Sequence, residues 1–265
     1  MSLLFSRFSA RRVRLFGGLE ASVLWPEGDA PVLFAGRPEV SLPECAAWLT
    51  DHSRKERIRL ECVVSDAWAR YAVVPWSANI RSEHERDALA RIVLEPLTSP
   101  KADGWSVICS GPPPAGRAAT LACALPDWLL GMFEGLADHR IRLSTTTPLF
   151  MQVFNRARRS LPGTALLALR GWDQFTIVVI EEGQWRSVRA HPLPAGAGDA
   201  EKLMMRAAAV HGLDRSAHVF FADVGVEPLD LESVDTSAWH LLPDLSDLHW
   251  LSGAAADTAS TGAAW

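Results

Sequence analysis

The chain has 265 residues, and 48% of them are hydrophobic. It is therefore long enough and apolar enough to bury a core of its own, as one large domain or two small ones. The formal net charge of -5 is small for this length, which argues against a nucleic acid or an anionic membrane as the partner of the whole surface.

The first part of the chain predicts three short strands followed by a helix. Gly17 with Gly18 and the stretch PEGD supply turns between strands near residues 11–16, 19–25 and 31–35. Ser41 and Glu44 form a capping-box pattern, so we expect the helix to begin there, with Pro43 in its first turn. The same region is locally basic, with four arginines: Arg7, Arg11, Arg12 and Arg14. We interpret these arginines as part of a solvated terminus, with contact to lipid head groups as the alternative.

The stretch RLECVVSDAWARYAVVPWS, residues 59–77, predicts a strand, a tight turn and a second strand, with Asp66 at the tip. Aspartate commonly hydrogen-bonds within its own turn. We therefore assign Asp66 a turn role and not a catalytic one.

Two helices and a hairpin are predicted in the middle of the chain. Ser82 and Glu85 form a second capping-box pattern, opening a helix that ends near Pro96. Its apolar residues are spaced for one buried face: Leu89, Ile92, Val93 and Leu97. The stretches WSVIC and AATLACAL predict the hairpin, and a further helix follows Pro126. The strand RIRLST then leads to a helix announced by Thr147 and Pro148.

The second half opens with a predicted three-stranded meander, formed by TALLALRG, QFTIVVIEE and QWRSVRAHPL, with a turn at Glu182 and Gly183. The stretch DAEKLMMRAAAVHG predicts a helix closed by Gly212, and AHVFFADVG predicts a buried strand. The last residues, SGAAADTASTGAAW, are small and polar, so we expect a disordered tail.

Common catalytic motifs are missing from the sequence: there is no GxxxxGK[ST], GxGxxG, HExxH or GxSxG pattern. The histidines form no i, i+4 pair and the four cysteines form no CxxC, so we expect no metal site and buried thiols in a reducing compartment. The eleven tryptophans would suit a stacking surface for bases or sugars, but basic residues do not alternate with them, so we expect buried rings. No apolar run reaches about 18 residues, which predicts a soluble cytoplasmic protein.

The order of these elements is that of an actin-like (ribonuclease H-like) fold. The run from RLECVVSDAWARYAVVPWSANIRSEHERDALARIVLEPL through GWSVIC to AATLACALPDWLLGMFEGLADHRIRLSTTTPLFMQVFN resembles the type IV pilus PilM proteins and the cytoplasmic domain of the type II secretion L protein, GspL. The resemblance covers roughly residues 11–222. It implies an α/β fold of two lobes with an inserted α+β subdomain. The parts are residues 1–76 and 125–162 for the first lobe, 77–124 for the inserted subdomain, 163–250 for the second lobe and 251–265 for the tail.

Nucleotide-binding actin-like proteins carry an acidic residue and glycines on the first hairpin turn of each lobe, where phosphates and a metal bind. In RLFGGLE, Gly17 and Gly18 remain, but Leu15 and Phe16 stand where an Asp-x-Gly pattern is expected, so the acid of that pattern is missing. In LRGWDQF the pattern is replaced by Arg170, Gly171 and Trp172. A third expected feature, a Gly-Gly loop near the adenosine after the late strand, appears in FFADVG only as Gly225. The resemblance therefore implies degenerate phosphate turns with no catalytic residue, no metal and no cofactor. Anion binding by Arg170 without a metal is the alternative.

Taken together, the resemblance implies a non-catalytic scaffold at the cytoplasmic face of the inner membrane, in the assembly platform of a type IV pilus or type II secretion system. Its expected partner is a bitopic inner-membrane assembly protein, PilN-like or secretion M-like, with no nucleic acid. Contact with the assembly ATPase and homodimer formation stay open, and the inserted subdomain is expected to set partner choice. The second hypothesis is an active ATPase with displaced metal ligands, for which Asp173, Glu20 and Asp223 are the candidate carboxylates. A carbohydrate- or nucleic-acid-binding module using exposed tryptophans is the third.

Overall fold

The structure of the protein is a computed structural model. The residues it describes are 10–80, 82–98, 104–110, 119–213, 218–225, 229–231 and 239–242. In this part of the chain, no helix combines the length and apolar character needed to span a membrane. Arg7 and the predicted tail lie outside the described residues.

Five strands of the first half form one sheet. Its strands, numbered in chain order, are β1 (Arg11–Gly17), β2 (Ala21–Pro26), β3 (Val32–Ala35), β4 (Ile58–Val64) and β8 (Ile141–Pro148). They lie in the order β3-β2-β1-β4-β8, with antiparallel pairing from β1 to β3 and parallel pairing of β4 with both β1 and β8. The helices that contact this sheet are α1 (Pro38–Ser53), α3 (Asp127–Glu134) and α4 (Leu149–Ala157).

The second half repeats this topology. Its strands are β9 (Ala165–Arg170), β10 (Gln174–Glu181), β11 (Gln184–Pro192), β12 (His218–Asp223) and β13 (Trp239–Leu241), in the order β11-β10-β9-β12-β13. The pairing directions match those of the first sheet, and α5 (Ala197–Val210) packs on β9 and β10. Glu182 and Gly183 make the predicted meander turn with φ angles of 52° and 74°, and Gly212 has a φ of 63° just after α5. Two sheets of one topology confirm the predicted order of elements in both lobes.

A third, smaller sheet carries the inserted unit. It has the order β5-β7-β6, with β5 (Arg70–Val74), β7 (Thr120–Pro126) and β6 (Trp105–Cys109), and α2 (Glu83–Leu94) packs on it. The side chains between sheet and helix form a small apolar core of their own: Ala72, Val74, Ala90, Leu94, Ala122 and Ala124. The sheet begins at β5, whereas the predicted subdomain begins at residue 77.

The two strands predicted over residues 59–77 are present as β4 and β5, but they do not pair with each other as a hairpin. β4 pairs with β1 and β8, whereas β5 pairs antiparallel with β7 in the third sheet. The residues between them do turn at Asp66, where the Ala69 N–H donates to the Asp66 carbonyl at 3.1 Å. The turn therefore connects two sheets instead of two neighbouring strands.

The predicted start of α1 is also wrong. The helix begins at Pro38, which occupies the first helical position, so Pro43 lies inside it. Ser41 is buried in the helix, where its hydroxyl lies 2.7 Å from that of Ser22, and it is not a cap. The Ser41–Glu44 pattern matched a capping box by composition alone.

The capping box of α2 is confirmed. The Glu85 N–H donates to Ser82 Oγ at 3.2 Å, and the Ser82 N–H donates to Glu85 Oε2 at 3.0 Å. The predicted buried face is correct in part. Ala90 and Leu94 are buried, and the predicted Leu89 and Val93 pack against the same core. The predicted Ile92 and Leu97 are instead 65% and 46% exposed.

The interpretation of the β1 arginines as part of a solvated terminus is wrong. Arg11, Arg12 and Arg14 belong to the strand and make ion pairs.

Candidate functional site

The two turns that would bind phosphate in this kind of fold face each other between the lobes. The first joins β1 to β2, and the second joins β9 to β10. The Leu19 N–H of the first turn donates to Asp173 Oδ2 of the second at 3.0 Å. The rings of Phe16 and Trp172 lie 5.0 Å apart, centroid to centroid. The lobes therefore touch at the place where a phosphate chain would lie.

The polar backbone groups of the first turn are used within the protein. The Gly17 carbonyl accepts from the Ser65 N–H at 2.9 Å, and the Gly18 carbonyl accepts from Trp68 Nε1 at 3.2 Å. The Gly18 N–H donates to the Ala21 carbonyl at 2.9 Å. Because the Leu19 N–H donates to the Asp173 carboxyl group, the protein itself supplies an acceptor to a turn of the type that receives phosphate oxygens elsewhere.

The glycines of these turns are required by packing. A Cβ on Gly17 would lie 2.8 Å from Phe133 Cζ, and one on Gly171 would lie 3.2 Å from a methyl carbon of Leu149. A Cβ on Gly18 would lie 2.9 Å from the Ala21 carbonyl oxygen. Close contacts with the protein itself therefore explain these glycines without reference to a nucleotide.

Arg170 is engaged by the late strand of its own lobe. Its guanidinium lies 3.0 Å from Asp223 Oδ1, and both side chains are mostly buried. Asp223 also accepts the N–H groups of Gly225 and Leu229, each at 2.9 Å. Gly225 leaves room for the arginine, because a Cβ there would lie 2.9 Å from Arg170 Cζ. Gly225, the glycine present in FFADVG, thus leaves space for the Arg170–Asp223 ion pair.

Of two carboxyl groups near the cleft, Asp66 is buried and Asp173 is partly buried. Burial raises the pKa of Asp173, against the lowering effect of hydrogen bonds from Ser65 and the Leu19 N–H, and the charge of nearby Glu20 raises it further. Burial also raises the pKa of Asp66 to about 6, although hydrogen bonds from Tyr71 and the Phe150 N–H lower it. The carboxyl groups at this junction are therefore held in surroundings that penalise negative charge.

Asp66 joins three parts of the molecule. Its carboxylate accepts the Tyr71 hydroxyl of β5 at 2.5 Å and the Phe150 N–H, at the start of α4, at 3.1 Å. It therefore caps α4 from outside the helix, a role that the sequence had suggested for Thr147, whereas Pro148 occupies the N-cap position. The Ser65 hydroxyl makes the local turn bond instead, accepting the Ala67 N–H at 3.1 Å. The turn position was predicted, but the capping role was missed.

Of the three candidate metal ligands, Glu20 lies close enough to Asp173 for its charge to act on it, whereas Asp223 pairs with Arg170. Glu20 is exposed, Asp173 bonds to Leu19 and Asp223 bonds to Arg170. Among the residues described by the structure, no three His, Cys, Asp or Glu side chains are placed to hold a metal ion. The residues of the cleft therefore do not fit a magnesium nucleotide in the manner of this fold.

The expectation that the tryptophan rings are buried is wrong for Trp76 and Trp128, and the other seven tryptophans that the structure describes are only partly buried. Trp76 and Trp128 are 45% and 42% exposed, and Trp128 packs edge-on against Trp68 with 5.2 Å between ring centroids. Trp128 follows Pro126 at the start of α3, and that helix turns Leu129 and Phe133 inward instead.

No protein-family model and no curated protein sequence matches the chain. Solved structures do match over nearly its whole length. One is the cytoplasmic domain of EpsL, an inner-membrane component of the type II secretion system of Vibrio cholerae, with a TM-score of 0.55 and 12% identity over 94% of this chain and 95% of that chain. Another is a Bacteroides thetaiotaomicron protein with an actin-like ATPase fold and unknown function, with a TM-score of 0.57 and 9% identity over 95% and 99% of the two chains.

A third match is a chain of the PilM-PilN type IV pilus biogenesis complex, with a TM-score of 0.51 and 14% identity over 96% of this chain and 99% of that chain. At these identities the comparisons establish the fold. The chain has the predicted actin-like α/β fold, and the predicted resemblance to PilM and to the secretion L domain is confirmed at that level.

Proposed function

We propose that this chain is a non-catalytic, nucleotide-independent scaffold at the cytoplasmic face of the inner membrane, in the assembly platform of a type IV pilus or type II secretion system. The observation that carries the proposal is the direct contact between the two turns, in which Asp173 takes the Leu19 N–H and Trp172 packs on Phe16. A scaffold needs the rigid two-lobed fold but has no need for an open phosphate site.

The type of partner follows from the proteins that share the fold. EpsL is described as an inner-membrane component of a secretion system, and PilM was solved in a complex with PilN. We therefore propose a bitopic inner-membrane assembly protein, PilN-like or secretion M-like, as the partner of this chain. Contact with an assembly ATPase is a further part of the proposal.

The inserted unit is the proposed contact surface. Four large apolar side chains in this part of the chain are more than 40% exposed: Trp76, Ile92, Leu97 and Ile108. Ile108 lies on β6, an edge of the third sheet, at 55% exposure. Exposed apolar side chains beside a sheet edge suit an incoming peptide or domain.

Deletion of residues 77–124 is a poor test of this surface. It would remove β6 and most of β7, and β5 would lose its only strand partner in the described part of the third sheet. Point substitution of an exposed residue avoids this damage.

The test uses Ile108→Asp, with Val210→Asp as the matched control, because Val210 is 73% exposed at the end of α5 in the other lobe. Binding is measured by biolayer interferometry to the cytoplasmic segment of a bitopic assembly protein from the same organism, with and without ATP and magnesium. We expect Ile108→Asp to weaken binding about tenfold, since a charge would be desolvated in the contact. Val210→Asp and nucleotide should have no effect. Nucleotide-dependent binding would contradict the scaffold.

One observation favours the alternative of a nucleotide-binding ATPase with displaced ligands. Within the described residues, Trp172 Nε1 and Gln174 Oε1 are buried without a hydrogen-bond partner. Buried polar atoms normally find a partner, so a bound ligand at the second turn would account for them. Nucleotide titration separates the two functions.

A further inference from the structure

Three arginines form a row across neighbouring strands of the first sheet. In the strand register, Arg12 of β1 lies opposite Arg59 of β4, and Arg59 lies opposite Arg142 of β8. Residues in register point to the same face, and adjacent strands are about 4.8 Å apart. The three guanidinium groups are therefore anchored side by side on one face of the sheet.

Arg14 follows Arg12 on β1 with the same orientation. Arg57 and Arg140 lie just before β4 and β8 and line one pocket together with Arg59 and Arg142. The Arg140 guanidinium also donates to the carbonyls of Ser53 and Arg54 at the end of α1, at 3.0 and 2.9 Å. We name these six residues the arginine array. At the β8 edge the array lines a concave pocket of about 630 Å³. Four arginines and His139 contribute to its wall, and none of its described lining residues is acidic.

Glu61 pairs with three members of the array. Glu61 Oε2 lies 2.7 Å from Arg12 and 3.8 Å from Arg14, and Glu61 Oε1 lies 3.8 Å from Arg59. Asp29 and Glu56 pair with Arg11, and Asp138 lies beside Arg140, whose charge acts on it. Arg11 alternates with Arg12 along β1 and so belongs to the opposite face. The array therefore carries a local excess of positive charge on a chain whose net charge is -5.

We propose that the arginine array binds an acidic segment of a protein partner in an extended conformation. Arginine pairs with carboxylates through planar, often bidentate hydrogen bonds, and a row of guanidinium groups at strand spacing matches carboxylates repeated along a peptide. The Arg12–Glu61 pair is an example of the same bond inside the protein. The inference goes beyond the scaffold role, because it names the chemistry of a partner and a surface on the first lobe, away from the inserted unit.

The geometry favours a peptide over a lipid surface. Peripheral membrane binding commonly combines basic charge with apolar side chains that insert between lipids. None of the large exposed apolar residues of the described chain lines the pocket, and the pocket is concave. A narrow acidic segment can enter such a pocket, whereas a flat bilayer makes few contacts with it.

The test is fluorescence anisotropy of the full chain with a fluorescein-labelled heptaglutamate peptide at low salt, with heptaglutamine as the neutral probe. The double variant Arg59→Glu, Arg142→Glu reverses two charges in the array. The matched control, Arg91→Glu with Arg206→Glu, makes the same change in net charge at two exposed arginines elsewhere. Thermal unfolding checks that both variants are folded.

We expect heptaglutamate to bind the wild type and the control alike, the array variant to bind at least about tenfold more weakly, and heptaglutamine not to bind. Equal weakening in both variants would show a general charge effect and overturn the proposal. Failure of the wild type to bind heptaglutamate would overturn it as well. The proposal would also be overturned if the protein bound phosphatidylserine vesicles through the arginine array and did not bind heptaglutamate. None of these outcomes bears on nucleotide binding.

Discussion

Asp66 should make the free energy of unfolding depend on pH. Its pKa in the folded protein is about 6, whereas the ordinary value is 3.8. The folded state therefore holds this proton more tightly than the unfolded state does. The stabilisation that comes from this tighter proton binding is fully present below the pKa of Asp66 in the unfolded state. It is lost as the pH rises through the pKa of Asp66 in the folded state. Each pKa unit corresponds to about 1.4 kcal/mol, so the complete loss is about 3 kcal/mol.

About 2 kcal/mol of this loss falls between about pH 4.5 and about pH 7.5. The perturbation is Asp66→Asn, which removes the titration while keeping an oxygen that can accept from Tyr71 and Phe150. Urea unfolding followed by tryptophan fluorescence gives the free energy of unfolding at each pH. We expect the wild type to lose about 2 kcal/mol more than the variant over this range.

The control for this prediction is Asp51→Asn, because the Asp51 side chain is 65% exposed on α1. This variant should keep the wild-type pH dependence. The raised pKa of Asp173 acts in the same direction in all three proteins. Because the charge of Asp173 also raises the pKa of Asp66, the difference between the curves reports Asp66 together with this interaction. Parallel curves for the wild type and Asp66→Asn would refute the reasoning.

Three further predictions concern packing around the cleft and the thiols. Gly17→Ala should lower the free energy of unfolding by about 1–3 kcal/mol, because the new Cβ would lie 2.8 Å from Phe133 Cζ. Adding Phe133→Leu to this variant should recover part of the loss. Arg170→Ala should cost about 1–3 kcal/mol in a urea titration, because it leaves the mostly buried Asp223 without its ion pair; an unchanged midpoint would contradict that role. In a thiol titration of the native protein, Cys109 alone should react, and slowly, because it is partly exposed with a pKa raised to about 11, whereas the other three thiols are buried.

Much of the fold could be predicted because the local signals are strong. The capping box at Ser82, the two-residue turn at Glu182 and the terminating Gly212 each act within a few residues, and each is confirmed. The hairpin at residues 59–77 could not be judged in this way, because the partners of β4 are β1 and β8, far away in the sequence. Alternating apolar residues have the same pattern whether a strand pairs with its neighbour or with a distant strand.

The location of the candidate site could be predicted from the sequence, but the contacts within it could not. The chain order located the two turns, and the missing acid in RLFGGLE was visible in the sequence. The bond from Leu19 to Asp173 joins residues that are 154 positions apart, so no local pattern contains it. The same is true of Asp66, whose turn position was clear while its capping of α4 depends on tertiary packing.

The arginine array was also partly visible. The crowding of Arg11, Arg12 and Arg14 stood out in the sequence, but Arg59 and Arg142 were unremarkable within their own segments. Only the strand register brings them together with Arg12.

The central claim is that the cleft between the lobes supports a scaffold and not nucleotide chemistry. Isothermal titration calorimetry of the full chain with ATP and magnesium tests this most directly, with a thermal shift measured on the same samples. The account predicts no heat of binding and no change in melting temperature. Micromolar binding with a matching thermal shift would contradict it, and would make Asp173, Glu20 and Asp223 the first residues to substitute in an ATPase assay.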